Sequence, residues 1–445
     1  MQEIFSPNSI AVIGASNDEK KWGGKILANL LRSYTGAIYP INPREKIIQG
    51  LTSYASVSEV SDEISLAIIV VPAPLVISAV DECGKKGVKG IVVITSGFAE
   101  VGNKELEKEL HAKVKHYGLK MVGPNCLGIA NSSINLNASI LQELPKKGNI
   151  SFIAQSGSLA LMIVEWAKEN DIGLCKVIST GNKTDLDDVD YLKYLDTDPE
   201  TKVIGIYAES INRGREFIEA AKHIKKPIVI LKVGRSKKGA AAAFSHTSSM
   251  AGADEIYSAA FKQAGVIRVD TLDELFDALL VLSTQPLPEG NTAAIISNGG
   301  GNGIIATDAC EQYGIELPDL TEETIEDVRK VIPGYGSAAN PVDTAARSSI
   351  GTYGTIINSL MNNFDAVISL YVQDAAADPV PSATETALMA GKKPIIVYMG
   401  GGKKREEGVK ILKEAGIPIY SSPDRAVRAL GFLIQHRKFL DEVKI

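Results

Sequence analysis

At 445 residues, 45% hydrophobic and 22% charged, the chain has the composition of a globular protein with large buried cores, which excludes a disordered or collagen-like polymer. At roughly 150 residues per domain, its length calls for about three folding units. A formal charge of -6, from 47 basic and 53 acidic residues, argues against a nucleic acid or an anionic membrane as main partner and favours small metabolites or proteins.

The opening MQEIFSPNSIAVIGAS runs straight into a strand pattern without the basic and apolar regions of a secretory signal, and no apolar run is long enough to span a bilayer. Cys83, Cys126, Cys175 and Cys310 have no C-x-x-C spacing, so neither a disulfide framework nor a metal site is expected. A reducing, cytoplasmic setting follows as the expectation.

From residue 8, apolar runs of strand length alternate with stretches of helical spacing. SIAVIGAS, GAIYPINP, SLAIIVVP, KGIVVITSG and KMVGPNCLG read as buried strands, with GKILANLLRSY, PLVISAVDECGKKG and NKELEKELHAKVKHYG as helices between them. This βαβ rhythm predicts a parallel, doubly wound sheet over 1–130. The segment NSSINLNASILQELPKKG has neither period and is expected to be a linker. A second series of the same grammar runs over 145–285, from NISFIAQSGSLALMIVEW to the helix TLDELFDALLVLST, and QPLPEG closes it. A third runs over 290–445, from NTAAIISNGGGNG to PDRAVRALGFLIQHRKFLDEV. The fold class expected is α/β, three consecutive doubly wound units with no fixed-period repeat.

Ligands of doubly wound sheets sit at the carboxyl ends of strands. The first such turn, VIGASNDEKKWGG, has Gly14 for a tight turn and a helix start able to hold a phosphate. A dinucleotide site would need a glycine where Ser16 stands and an acid where Asn42 and Pro43 stand, so NAD is disfavoured and another phosphate-bearing ligand is preferred. In AQSGS, residues Gln155, Ser156, Gly157 and Ser158 open a helix with hydroxyls and free N–H groups suited to an oxyanion, although a plain N-cap would give the same pattern. STGNKTDLDD, with Asn182 and Asp185, and YAES, with Glu209, add polar groups at strand ends. Of five histidines, His111, His116, His223 and His436 lie in helical stretches beside lysines or arginines and read as solvated. His246 stands apart, in AAAAFSHTSSMAG after a strand, where a neutral imidazole could act as nucleophile if a carboxylate orients it. SNGGGNG is glycine-dense, and no G-x-x-x-x-G-K-[ST] motif supplies a nucleotide site.

In one order along nearly the whole chain, VIGAS, INPR, VVPAP, TSGFAEVG, GPNCLG, AQSGS, STGN, YAES, SHTSSMAG, SNGGGNG and NPVDT together resemble the alpha subunit of ADP-forming acetyl-CoA synthetases, acyl-CoA ligases related to succinyl-CoA synthetase. The resemblance implies a Rossmann-like CoA-binding domain followed by two flavodoxin-like ligase domains. It implies the reaction of acyl-CoA, ADP and phosphate to acid, CoA and ATP, through an acyl phosphate and a phosphohistidine. On matching positions it implies His246 as the phosphorylated residue, Glu209 as its orienting carboxylate, and Ser156, Gly157 and Ser158 as the phosphate-binding helix start. For CoA it implies Gly14, Ala15, Ser16, Lys46, Val71, Pro72, Ser96 and Gly97, with Asn125 near the thiol end. Mg-ADP or Mg-ATP would bind an ATP-grasp beta subunit in an alpha2beta2 heterotetramer. A second helix start from the third domain, in SNGGGNG or at the end of SLYVQD, would face the phosphoryl group. The chain departs from the family at Ser248 and Met250, where the usual SHTGSLAG has glycine and leucine, and in SNGGGNG, usually TNAGGPG. A non-catalytic acyl-CoA-binding regulatory module is the alternative reading.

Overall fold

The computed structural model describes residues 1–239, 241, 254–345, 350–373 and 378–443. The chain divides into two compact units, Met1–Thr271 and Leu272–Ile445. Among the described residues no helix is long and apolar enough to cross a membrane.

The first unit contains two large sheets, besides a short antiparallel hairpin of Ile47–Ile48 and Leu51–Thr52. The first consists of β1 (Ser9–Ile13), β2 (Ala37–Ile41), β3 (Leu66–Ile69), β4 (Gly90–Val93) and β5 (Lys120–Val122), in the order β2-β1-β3-β4-β5 with every pairing parallel. β1, β3 and β4 are buried along their whole length, which explains their near-continuous Ile, Val and Ala content: helices cover both faces of the sheet.

The stretch expected to be a linker is not one. Gly128–Asn131 (β6) and Leu136–Ser139 (β7) form an antiparallel hairpin, and β6 pairs antiparallel with β9 (Leu174–Ser179) at the edge of the second sheet. Asn131, Asn137 and Ser139 are buried, and their side chains make hydrogen bonds inside the protein. Asn131 Nδ2 donates to Phe5 O at 2.7 Å, and Ser139 Oγ donates to Asn137 Oδ1 at 2.6 Å. From the helix Trp22–Ser33, Asn29 Nδ2 donates to Ser139 O and Leu141 O at 2.9 and 2.8 Å, tying the first sheet's layer to the hairpin.

The rest of the second sheet is β8 (Lys147–Ala154), β10 (Val203–Ala208), β11 (Ile228–Lys232) and β12 (Ile267–Val269), giving the order β12-β11-β10-β8-β9-β6-β7. Counted along the chain, its five parallel strands repeat the order of the first sheet.

The second unit repeats that order again. β13 (Ala293–Ser297), β14 (Ser337–Ala338), β15 (Val342–Asp343), β16 (Ala366–Tyr371), β17 (Ile395–Met399) and β18 (Ile419–Tyr420) lie as β14-β15-β13-β16-β17-β18, with only β14 antiparallel. The helix Leu272–Thr284, which the sequence pattern grouped with the preceding series, packs in this unit. Asp277 on it is held by Arg425 and Arg428 of the helix Pro423–Val443, each at 2.8–2.9 Å. His436 on that last helix is 2% exposed, which corrects its reading as solvated. Gln435 and Lys438 on either side are exposed, so His436 belongs to the buried face of the helix while its polar neighbours face outward.

Candidate functional site

In this strand order the crevice opens where the chain reverses direction across the sheet, between the first and third strands of each series. In the first sheet that is the end of β1 and the end of β3. Gly14 follows β1 with φ +91°, and a Cβ there would stand 2.6 Å from Val70 O, so the turn demands glycine. The next helix starts against it: a Cβ on Gly23 would lie 2.0 Å from Gly14 O. Asn42, where a dinucleotide site would have an acid, donates from Nδ2 to Ala15 O at 2.9 Å. Gln49 Nε2 donates to Ser16 O and Gly24 O at 3.0 and 2.8 Å. These bonds set the loop in one conformation.

A cavity of about 770 Å³ opens at this point. Of the residues expected at a CoA site, Gly14, Val71, Pro72, Ser96 and Asn125 line it, as do Ser156, Gly157 and Ser158 of the second series. Ala15, Ser16, Lys46 and Gly97 are not among its lining residues. Ala15 and Ser16 are buried behind the loop, and Ser16 Oγ accepts from the Asp18 N–H at 3.1 Å. Cys126 also lines the cavity, but burial pushes its thiol up to about 12, and it donates to Val93 O at 3.3 Å, so it is a neutral packing group rather than a nucleophile.

The second crevice lies at the ends of β8 and β10. β8 runs into Gln155, and Ser156 precedes the helix Gly157–Glu169 with extended backbone, its side chain making no capping bond to a backbone N–H of the first turn. The Ser156 and Ser158 hydroxyls meet each other at 2.9 Å. Helix N–H groups and two hydroxyls therefore face the cavity as a donor set for an oxyanion. Gly157 is required by contact, since a Cβ there would lie 2.8 Å from Leu127 Cγ. Glu209 follows β10, 7% exposed, and its N–H donates to Gln155 Oε1 at 2.8 Å. Burial, then the charge of Glu209, pushes the neighbouring Tyr207 up to about 12.

Asn182 and Asp185, also at strand ends, serve a different purpose. Asn182 Nδ2 donates to Glu100 and Glu107 at 2.7 and 2.8 Å, and Asp185 accepts from the Met121 N–H and pairs with Lys115, each at 2.9 Å. Both join the second series to the first sheet. His246, with Ser248 and Met250, lies outside the described residues.

In the second unit the equivalent crevice, between β13 and β16, is a cavity of about 410 Å³ lined by Asn298, Gly299, Gly300, Gly301, Asn302, Ile305 and Val372. Asn298 fastens its two walls: Oδ1 accepts from the Val372 N–H at 2.8 Å and Nδ2 donates to Val372 O at 2.7 Å. SNGGGNG and the end of SLYVQD thus border one crevice rather than two; Asp374 itself lies outside the described residues.

Sequence reasoning missed Lys20, Lys21, Trp22, Leu127 and Ile140, all of which line the first cavity. The run KKWGG at the start of a helix was the readable signal for the first three. Leu127 and Ile140 offered none, because each belongs to an ordinary apolar pattern. Among the described residues no group of His, Cys, Asp and Glu side chains is placed to hold a metal ion.

Three family models match in order: a CoA binding domain over residues 8–132, a succinyl-CoA ligase-like flavodoxin domain over 147–282, and a Ligase-CoA domain over 293–438. The alpha subunit of acetate–CoA ligase [ADP-forming] II from Pyrococcus furiosus is 43% identical over 98% of this chain and 97% of its own length. Acetate–CoA ligase [ADP-forming] I from Archaeoglobus fulgidus is 42% identical over 98% of this chain, which spans 64% of that longer protein. The solved structure of acetyl-coenzyme A synthetase 1 from Ca. Korarchaeum cryptofilum, in complex with phosphate and ADP, matches with a TM-score of 0.96 at 40% identity, covering 100% of this chain and 98% of that one. The three matched domains, in this order and at this identity over nearly the whole length, mean that the chain belongs to the family of ADP-forming acetate–CoA ligase alpha subunits.

Proposed function

We propose that this chain is the acyl-CoA-handling subunit of an ADP-forming acid–thiol ligase. The observation behind this reading is that one cavity is lined both by the glycine loop and strand ends of the first sheet and by the Ser156–Ser158 helix start of the second. A phosphate-bearing thioester and an inorganic phosphate can meet there. CoA fits the residues present: Lys20 and Lys21 are cations at the rim for its phosphates, and Gly14 lets backbone approach closely. Asn125 lines the same cavity as the Ser156–Ser158 loop, where the thioester would end.

In the proposed reaction a phosphate oxygen attacks the thioester carbonyl. The C–S bond breaks, CoA leaves as thiolate, and an acyl phosphate forms. A His246 ring nitrogen then attacks phosphorus, and the acid leaves as carboxylate. Glu209 holds the other ring nitrogen, supporting the positive charge that develops. The donors of Ser156, Gly157 and Ser158 would stabilise the phosphoryl oxygens throughout. Phosphohistidine then passes its phosphoryl group to Mg-ADP on an ATP-grasp partner, an assignment supported by relatives named as alpha subunits. An alpha2beta2 assembly in the cytoplasm and the division of the chain into three domains belong to the same proposal. The acid differs among relatives: one at 38% identity is a 4-hydroxybutyrate–CoA ligase.

The test is acid-labile labelling of the chain by acetyl-CoA and ³²P-phosphate, in complex with its ATP-grasp subunit. Wild type should be labelled and His246→Ala should not. Label persisting in the variant removes the phosphohistidine, and stoichiometric CoA binding without any labelling of the wild type favours the regulatory module.

A further inference from the structure

Ser210, directly after Glu209, is held at each of its polar atoms. Its N–H and that of Glu209 both donate to Gln155 Oε1, at 3.0 and 2.8 Å. Its hydroxyl accepts from Gln155 Nε2 at 3.2 Å, and its carbonyl accepts from Lys183 Nζ at 2.6 Å. Gln155 is itself fixed, since its N–H extends the pairing of β8 with β10 by donating to Tyr207 O at 3.0 Å. Lys183 gives a second bond to Asp188 at 2.8 Å and has no side-chain exposure.

Two features set this cluster apart from an ordinary satisfied core. Lys183 sits at φ +56°, a left-handed conformation that a non-glycine residue adopts at a cost of about 1 kcal/mol or more. A buried lysine–carboxylate pair is also no more stabilising than well-packed apolar side chains of the same volume. The geometry secured at that cost is the backbone of residues 209–210. Gln155 is immediately followed by Ser156, the cap of the oxyanion-binding helix, so one side chain connects that helix start to the strand end bearing Glu209.

We propose that Gln155 and Lys183 are positioning residues: they fix Glu209 in register with the Ser156–Ser158 loop, so that carboxylate and phosphoryl-binding donors stay aligned during transfer. This rests on the phosphohistidine reading above. Displacing aligned groups by about 1 Å costs on the order of 10²-fold in rate.

The experiment is single-turnover labelling of the full chain, in complex with its ATP-grasp subunit, by acetyl-CoA and ³²P-phosphate. Both the rate and the final extent of labelling are followed. The extent reports the folded, competent fraction; the rate reports alignment. Gln155→Ala should slow labelling by about 10²-fold while reaching the wild-type extent, with the half-saturating acetyl-CoA concentration unchanged. Lys183→Met should act likewise and Lys183→Arg should restore most of the rate. Ser210→Ala, which removes only the hydroxyl link, should slow it by about fivefold or less. If Lys183→Met does not fold, the Gln155 variant decides. Labelling of Gln155→Ala at the wild-type rate overturns the proposal, as does a loss confined to the extent. His246→Ala is run alongside: label in that variant overturns the phosphohistidine reading itself, a result distinct from either failure of the clamp.

Discussion

Lys232 ends β11 with its ammonium group buried, donating to the adjacent Val233 carbonyl at 2.6 Å and lying 4.8 Å from the centre of the Tyr257 ring. Burial, then repulsion from Arg268, lowers it from 10.5 to about 8. The sign of the consequence follows from linkage. Below pH 8 the amine is charged in both states and contributes no pH dependence. Between about 8 and 10.5 the unfolded chain holds a proton that the folded chain has released, so stability rises with pH across that window. The gain is on the order of 3 kcal/mol. Denaturant unfolding of wild type and Lys232→Met at several pH values isolates the effect. The difference between them should change by that amount from pH 8 to pH 10.5 and stay flat below it. A difference that is flat throughout would mean that the amine keeps its ordinary value.

At the scale of elements, the helix Gly157–Glu169 starts where Leu127 presses on its first residue. An added Cβ at Gly157 would meet Leu127 Cγ at 2.8 Å and the two methyl carbons at 2.9 and 3.2 Å. Gly157→Ala should therefore destabilise the protein by about 1–3 kcal/mol, the usual cost of overpacking. The double variant Gly157→Ala, Leu127→Ala should recover most of what the glycine substitution alone loses, relative to Leu127→Ala. Additive losses in a double-mutant cycle would show that the two residues do not touch. This contact also marks how much of the site was legible. The turns at Gly14 and at Ser156–Ser158 could be read directly, because glycine and hydroxyl residues at a strand end have a local meaning. Leu127 could not, since its partner is 30 residues away and nothing local distinguishes it; Gln155 reads as part of the same polar loop, but its bonds to Glu209 and Ser210, 54 and 55 residues on, have no local signal. The β6–β7 hairpin was obscured for a related reason. Its asparagines and serines mimic a linker, and what lets Asn131 sit buried in a sheet is a bond to the distant Phe5 O.

At the scale of the molecule, the same strand order occurs three times without a repeat in the sequence, because order depends on which faces of each strand are apolar rather than on particular side chains. The boundary between the two compact units tests where a repeat of this kind ends. The Pro- and Gly-bearing stretch QPLPEG suggests a cut after residue 285, whereas the packing places Leu272–Thr284 in the second unit. Asp277 on that helix is 4% exposed and accepts from both Arg425 and Arg428, and its carbonyl accepts from Tyr420 Oη at 3.3 Å. Gln285 Nε2 donates to Gly416 O at 2.8 Å and its Oε1 accepts from the Ile395 N–H at 2.9 Å, so the end of the helix is secured to the β17 side of the sheet. A fragment of residues 272–445 should then unfold in one cooperative transition, with dispersed amide resonances. A fragment of residues 290–445 leaves two arginines and an apolar surface uncovered, and should be aggregation-prone or lack a cooperative transition. Within the longer fragment, Asp277→Asn should cost about 2–3 kcal/mol, less than a fully buried pair because the arginines are partly exposed. Equal cooperativity and midpoint for the two fragments would return the helix to the first unit and restore the boundary at 285.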